Sequence, residues 1–149
     1  VYTSDVNALG LPTAQGLALT ETWYWDANDA NRAWTKRWQQ ERSGKFPTMV
    51  QAGVYSGLTH YLKAVAALKS AADGKAVVAE MKKMPTDDPL FGKGSIRADG
   101  RKIHPAYLLE VKSPAESKYP GDFYKVRATI PADEAFRPLK EGNCPLVSG

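Results

Sequence analysis

The sequence has 149 residues, of which 43% are hydrophobic and 24% are charged. This composition predicts a folded globular protein, and the length suits one domain. The 20 basic and 16 acidic residues give a net charge of +4 and are scattered along the chain. Because nucleic-acid binding requires clustered basic residues, we expect no nucleic-acid partner.

The sequence lacks the signals of a membrane span, a secretion leader and a metal site. No apolar segment approaches the roughly 18 residues that cross a bilayer, and no charged segment followed by an apolar one opens the chain. Cys144 is the only cysteine, which excludes an internal disulfide. The two histidines, His60 and His104, lie far apart without metal-ligand spacing, so we expect no metal and no cofactor.

The first predicted elements are a strand and a helix. After a bend at Gly10 and Pro12, apolar residues alternate with others from residue 17 to 25, which predicts a β-strand with an aromatic end. Asp26 has the character of a helix N-cap, and the helix should end near Gly44. Its predicted buried stripe consists of Ala27, Ala30, Trp34 and Trp38.

The central predicted element is a helix over residues 54–68. Its apolar residues recur at spacings of three and four, so we expect them to face the core: Val54, Leu58, Tyr61, Leu62, Val65 and Leu68. Ahead of it, Gln51-Ala52-Gly53 form a connection that another molecule could approach closely. The first-turn amides of the helix suit a carboxylate, and Tyr55 supplies an aromatic ring with a polar tip beside them.

The remaining chain predicts a helix, a hairpin and a strand. A third helix should span residues 75–84, between the breaker pair at residues 73–74 and a proline. Asp99-Gly100 is a strong turn signal between residues 91–98 and 101–111, which we interpret as a hairpin. Residues 123–130 alternate as a strand with one solvated face, and Phe136 and Leu139 should dock the tail.

The sequence permits two alternatives to a binding function. Ser56 and His60 lie four residues apart on the central helix and could form part of a small serine hydrolase. However, a hydrolase elbow needs glycine two positions before and after the serine, and here the glycines are offset. Asp87 and Asp88 point to opposite sides of an extended chain and form a poor acid–base pair. A non-catalytic protein-interaction module is the second alternative.

Five segments of the chain carry a family resemblance. They are Gly16 to Asp26, the run Val-Gln-Ala-Gly-Val-Tyr-Ser at 50–56 with His-Tyr-Leu-Lys-Ala-Val after it, Met84 to Gly94, Arg97 to Arg101, and the ending Asn-Cys-Pro-Leu-Val. Together they resemble the C-terminal portion of ABC transporter periplasmic solute-binding proteins of the leucine/isoleucine/valine-binding-protein-like (branched-chain amino acid) family. The resemblance covers nearly the whole chain.

The resemblance implies an α/β fold that is part of a type I periplasmic-binding-protein fold, with a parallel sheet flanked by helices and a β-hairpin. Residues 1–149 would be a C-terminal fragment of a two-lobed protein: 1–25 the lobe-crossing strand region, 26–95 the helical portion of one lobe, and 96–149 the hairpin, returning strand and tail. The missing N-terminal portion would supply a disulfide partner for Cys144, with a free thiol as the alternative. Strand edges exposed in the fragment would favour a fragment dimer.

The implied function is periplasmic capture of a small carboxylate-bearing solute, an amino acid or an aromatic acid, for delivery to an ABC transporter permease. No reaction is expected. The number of aromatic residues near the expected cleft favours an aromatic or hydrophobic acid. The expected ligand-binding residues are Gln51, Ala52, Gly53, Val54 and Tyr55, with Trp23, Tyr24 and Phe91 as weaker candidates.

Overall fold

The structure, a computed structural model, describes residues 1–145 and 147. Its α-helices are α1 (Thr3–Leu9), α2 (Leu11–Ala14), α3 (Asp29–Glu41), α4 (Met49–Leu68) and α5 (Gly74–Lys83). Its strands are β1 (Ala18–Glu21), β2 (Thr86–Asp88), β3 (Gly92–Ile96), β4 (Lys102–Ile103), β5 (Ala106–Val111) and β6 (Tyr124–Ile130). A short 3-10 helix spans Leu139–Gly142. This mixture confirms the predicted α/β class.

The chain divides into two compact units. The first comprises Val1–Gly53 and Ala106–Ile130, and the second comprises Val54–Pro105 and Pro131–Gly149. The boundary therefore falls within α4. None of the described helices combines the length and the hydropathy that a membrane crossing requires.

The first unit contains a three-stranded sheet in the order β1-β5-β6. Both pairings are antiparallel, as are the pairings of β2 with β3 and of β3 with β4 in the second unit. The parallel sheet implied by the resemblance is thus wrong for the described part of the chain. The sequence itself carried the physical reason, because alternation of apolar and polar residues is typical of antiparallel strands, whereas parallel strands are apolar on both faces.

The N-terminal elements differ from the sequence prediction in their bounds. α1 and α2 were not predicted, and β1 ends at Glu21, so the aromatic run at residues 23–25 leaves the strand. α3 begins two residues later than expected, since Asn28 is its N-cap and accepts a hydrogen bond from the Asn31 amide at 2.9 Å. Asp26 instead accepts from Arg32 at 3.0 Å and from the Tyr119 hydroxyl at 2.5 Å.

Aromatic side chains form the core of the first unit. Trp23 is 1% exposed and meets Trp34 edge to face, with ring centroids 5.5 Å apart. Tyr24 is buried against Tyr124 at 5.1 Å. The Trp25 indole donates to the Gly121 carbonyl at 3.0 Å. These edge-to-face and tilted contacts are the favoured arrangements of aromatic pairs.

The second unit contains the β2-β3-β4 meander. The predicted hairpin is confirmed over residues 92–103, because Ile96 pairs with Lys102 and Gly100 turns the chain with a φ of 86°. Its extension to residue 111 is wrong, because β5 joins the sheet of the first unit. α5 matches the predicted helix within a residue, and the Asp73 side chain caps it.

α4 begins earlier and faces the opposite way from the prediction. It starts at Met49, so Gln51-Ala52-Gly53 lie within the helix and form no bend ahead of it. The face predicted to be core is largely exposed, and the buried residues are Ala52, Ser56, His60 and Ala64. Periodicity identified the helix but chose the wrong face, because the chain buries its small and polar side.

A buried carboxyl group lies on β1. Glu21 is 1% exposed. Burial raises its pKa to about 7, although the charge of the N-terminal amine acts in the opposite direction, followed by the Tyr124 hydroxyl and the Thr3 backbone. Neither Tyr124 nor Thr3 forms a hydrogen bond of normal geometry with the carboxyl oxygens. The folded chain therefore binds a proton at Glu21 more tightly than the unfolded chain does.

We predict a pH dependence of stability that originates at Glu21. The free energy of unfolding should fall by about 3 kcal/mol as the pH rises from about 4.5 to about 7, and then level off. Glu21→Gln should remove this contribution and should be more stable than the parent chain at pH 8. Urea denaturation across this pH range measures both effects. The control is Glu41→Gln at an exposed position; equal pH profiles for the two variants would contradict the prediction.

Candidate functional site

The candidate site is a cavity of about 680 Å³ in the first unit, which we call the α1–α4 cavity. Three segments enclose it: the start of α1, the end of α3 with the loop after it, and the start of α4. Its lining residues are Tyr2, Thr3, Ser4, Asn7, Trp38, Arg42, Ser43, Gly44, Lys45, Phe46, Thr48, Val50 and Gln51. Its volume lies in the range typical of small-molecule sites.

The loop after α3 brings two cations to the α1–α4 cavity. Ser43 and Gly44 both adopt positive φ, 51° and 76°, which reverses the chain. The Gly44 amide donates to the Gln39 carbonyl at 3.0 Å, and the Gln39 side chain donates back to the Gly44 carbonyl at 3.1 Å. These bonds fix the backbone of the turn between Arg42 and Lys45. Both side chains line the cavity from this fixed backbone.

An aromatic wall supports the Arg42 guanidinium. Its carbon lies 5.2 Å from the centre of the Trp38 ring, and Trp38 stacks on Trp34 at 5.6 Å. The Trp38 indole nitrogen is buried and has no hydrogen-bond partner among the described residues. Trp38 therefore contributes ring surface to the cavity, whereas its N–H is buried and has almost no surface accessible to a bound molecule.

The start of α4 contributes the third wall. The Thr48 amide and hydroxyl donate to Gln51 Oε1 at 2.8 and 2.6 Å, and Thr48 Oγ1 accepts from the Val50 amide at 3.2 Å. The Thr48 side chain therefore caps the helix, and Gln51 in turn accepts from the Thr48 amide, which determines where the helix begins. Because Oε1 is committed to Thr48, Gln51 can offer a solute only the donor side of its amide.

The charge of the α1–α4 cavity favours an anion. Arg42 and Lys45 line it, and none of its described lining residues is acidic. A guanidinium matches the planar fork of a carboxylate. Trp38 and Phe46 supply apolar surface beside these cations. The arrangement therefore suits a small molecule with a carboxylate at one end and an apolar or aromatic body.

The predicted residues 51–55 have different surroundings. Gln51 lines the cavity. Ala52 is fully buried by the chain's own packing, whereas Gly53 is exposed and Val54 is 65% exposed. Tyr55 is half-buried. Of these five, only Gln51 is among the described lining residues of the cavity.

The three weaker candidates also lie outside the lining of the α1–α4 cavity. Trp23 and Tyr24 are buried in the aromatic core of the first unit. Phe91 belongs to the second unit, where its ring lies 5.0 Å from His104 and 4.5 Å from the Lys102 ammonium. The ligand role of all three remains a prediction.

Ser56 and His60 are not brought together as a catalytic pair. The Ser56 hydroxyl donates to Asp88 Oδ2 at 2.7 Å, and the Lys102 ammonium donates to both Ser56 and Asp88. The ring of His60 instead makes its hydrogen bond with the Met81 carbonyl at 2.8 Å. Ser56 is 2% exposed, so the cluster links α4 to β2 and β4 as an internal polar contact.

The charge of Asp88 follows from this cluster. Burial by itself raises its pKa, but hydrogen bonds from Lys102, Ser56 and the Phe91 amide outweigh burial, so the pKa lies below its usual value. Asp88 is therefore ionised and paired. Both Lys102 and Ser56 are thus hydrogen-bond partners of Asp88 in this cluster.

Sequence reasoning missed the cations of the cavity. Arg42 and Lys45 were not among the predicted site residues, and Trp38 was assigned to the buried stripe of its helix. The available signal was the Ser43-Gly44 pair between two basic residues, since a tight left-handed turn holds its neighbours in a fixed direction. No group of three or more His, Cys, Asp and Glu side chains in the described part of the chain could hold a metal ion.

Comparisons with known proteins identify the family. A family model described as periplasmic binding protein matches residues 1–118. The chain is 49% identical to a periplasmic binding protein from Burkholderia mallei, with 99% of this chain and 39% of that chain covered and a TM-score of 0.93. It is 39% identical to a branched chain amino acid ABC transporter periplasmic ligand-binding protein from Burkholderia xenovorans LB400, covering 97% of this chain and 38% of that one at a TM-score of 0.88.

A more distant structure is the solute binding protein of an ABC transporter from Rhodopseudomonas palustris BisB5, in complex with 3,4-dihydroxy benzoic acid. It is 23% identical, covers 88% of this chain and 35% of that chain, and has a TM-score of 0.71, which shows a common fold. A search of curated proteins gave no match. The chain spans about two fifths of the length of the two Burkholderia proteins.

The fold is thus the one found in type I periplasmic binding proteins. The chain belongs to the periplasmic binding protein family, which confirms the resemblance found in the sequence. Members of this family are substrate-binding proteins of transporters, and its homologues of known structure are periplasmic.

We predict that the Asp88 cluster stabilises the second unit. Asp88→Ala removes the buried carboxylate and leaves the Lys102 ammonium and the Ser56 hydroxyl without their partner, so it should cost about 3 kcal/mol of unfolding free energy. Asp87→Ala, at the exposed neighbouring position, should change it by less than about 0.5 kcal/mol. Chemical denaturation at pH 7 compares them. Similar losses in the two variants would contradict the proposed role of the cluster.

Proposed function

We propose that this chain is part of a longer binding protein that captures a small carboxylate-bearing solute and delivers it to an ABC importer. The observation that carries the proposal is the α1–α4 cavity, where Arg42 and Lys45 stand beside aromatic surface with no acidic residue among the described lining. A site of this charge and size in a member of the periplasmic binding protein family favours solute capture over chemistry.

In this proposal the solute's carboxylate contacts Arg42, with Lys45 as a second cation. The guanidinium is pre-oriented by stacking on Trp38, which lowers the entropy lost on binding. The first-turn amides of α4 are less suited to this task than the sequence suggested. The Val50 amide donates to Thr48 Oγ1 and the Ala52 amide to the Thr48 carbonyl, so both have acceptors already.

The body of the solute would contact the aromatic part of the cavity. Trp38 and Phe46 offer ring surface, and the Gln51 amide offers a donor for a hydroxyl or carbonyl oxygen. These groups favour an aromatic or hydrophobic acid over a small polar amino acid. The ligand roles that the sequence assigned to the other candidates stay predictions and are not part of the site proposed at the α1–α4 cavity: Ala52, Gly53, Val54, Tyr55, Trp23, Tyr24 and Phe91.

The names of two relatives support a carboxylate-bearing solute. The Burkholderia xenovorans protein is described as the periplasmic ligand-binding protein of a branched chain amino acid ABC transporter. The Rhodopseudomonas palustris protein is in complex with 3,4-dihydroxy benzoic acid. Both kinds of solute carry a carboxylate attached to an apolar body. By the same reasoning, the longer protein would work outside the cytoplasm and its partner would be a transporter permease.

We predict that Arg42 selects acids. The test protein is a chimera in which this chain replaces the matching part of the Burkholderia mallei protein, to which it is 49% identical. Its ligands are found by a thermal-shift screen of amino acids and aromatic acids, each paired with its primary amide. Arg42→Gln should weaken binding of the best acid by about 10- to 100-fold, because a charge-assisted hydrogen bond is lost.

The matched control is Arg37→Gln, at an exposed position of α3 outside the cavity lining. Calorimetry should give it the affinity of the parent chimera. The Arg42→Gln protein should bind the acid and its amide about equally. If Arg42→Gln keeps the full preference for the acid, the carboxylate site lies elsewhere and the assignment of this cavity fails.

A further inference from the structure

In the second unit, α4 buries its small and polar side chains and exposes its large apolar ones. Its buried positions are small or polar, namely Ser56, His60 and Ala64, at 2%, 5% and 0% exposure. Its large aliphatic residues lie on another side, where Val54, Leu58 and Leu62 are 65%, 55% and 55% exposed. A helix at the surface of a protein normally buries its large apolar residues. α4 therefore has the pattern of a helix that is covered on two sides.

The exposed side forms one continuous surface, which we call the α4 apolar face. Its members share a helical spacing of three or four and carry no charge: Val54, Gly57, Leu58, Tyr61, Leu62 and Val65. The nearby Lys63 turns away from them, because its ammonium donates to the Asp87 carbonyl at 2.6 Å. Contiguous apolar surfaces of this kind mark sites where another body packs.

Gly57 adds a second, independent observation. Glycine inside a helix is less stable than alanine, and this position needs no special backbone, since Gly57 is not among the glycines with positive φ. A Cβ built there meets nothing within 4 Å in this chain. The missing side chain thus serves no contact among the described residues. It leaves helix backbone open beside Leu58 and Tyr61, where a packed body could approach closely.

We propose that the α4 apolar face is the docking surface for the additional polypeptide that the full-length relatives carry. This chain spans 39% and 38% of the two Burkholderia proteins, so each of those proteins has further chain that could cover it. The absence of charge on the face requires an apolar partner surface, and Gly57 requires one that fits closely. The inference rests on family membership and is independent of which solute is bound.

Paired valines provide the test. Val54→Gln changes the α4 apolar face, and Val78→Gln changes an exposed valine of α5, 49% exposed in the same unit. In the 149-residue chain both variants should shift Tm by less than about 2 °C, because both side chains face water. In the chimera, Val54→Gln should lower Tm by at least about 4 °C or prevent folding, whereas Val78→Gln should leave it folded with little change.

Glycine variants give a second readout of opposite sign. Gly57→Ala should raise the Tm of the 149-residue chain by about 2–4 °C through helix propensity, and should lower the Tm of the chimera because the added methyl group meets the docked polypeptide. Gly74→Ala, where a Cβ also meets nothing within 4 Å, should act with the same sign in both proteins.

Two results would overturn the proposal. One is equal Tm shifts for Val54→Gln in the chain and in the chimera. The other is a dimer of the 149-residue chain in sedimentation that Val54→Gln dissociates, combined with a chimera that is indifferent to the same change. The latter would assign the face to a second copy. If the chimera binds no acid but shows the expected Tm shifts, the proposed solute is wrong and the proposed docking surface stands.

Discussion

The hydrogen bonds that the Thr48 amide and hydroxyl donate to Gln51 Oε1 determine where α4 begins, and much of the structure depends on that position. A helix that starts at Met49 carries Gln51 in its first turn, at the wall of the α1–α4 cavity. Further along the same helix, Ser56 is buried and Val54 is exposed. α4 therefore carries both a residue of the cavity wall and an exposed apolar surface.

Local signals in the sequence predicted most elements of the fold. The Asp99-Gly100 turn, the helix boundary at residues 73–74 and the strand β6 depend on a few neighbouring residues, and each was predicted. Strand pairing depends on residues far apart in the sequence, and for this reason the antiparallel β1-β5-β6 sheet was not predicted. The face that α4 buries could not be read from periodicity, because that face is the polar one.

Only part of the candidate site was predicted, because its residues are also far apart in the sequence. Gln51 was singled out, but its partners in the cavity come from α1 and from the loop after α3. Arg42 and Trp38 are ordinary residues of an amphipathic helix in the sequence, and only the reversal at Ser43 and Gly44 turns this end of the helix into a wall. Ser56 shows the converse, since a serine near a histidine is a structural hydrogen-bond donor to Asp88 here.

The reversed end of α3 also explains how a site can be built on the surface of a small unit. A loop held by hydrogen bonds between Gln39 and Gly44 has few backbone conformations available, so its cations need little ordering when a ligand binds. The aromatic core beneath it adds rigidity, because Trp38 rests on Trp34 and Trp34 on Trp23. The candidate site and the hydrophobic core are thus joined by a continuous series of ring contacts.

A smaller feature links two distant parts of the sequence. Gly121 adopts a positive φ of 82°, and a Cβ at this position would collide with the ring of Phe46. Its carbonyl also accepts the hydrogen bond of the Trp25 indole. The Phe46 ring consequently occupies the space that a side chain at residue 121 would need. A side chain at one is compatible only with its absence at the other, and the two positions should covary by size when homologous sequences are aligned.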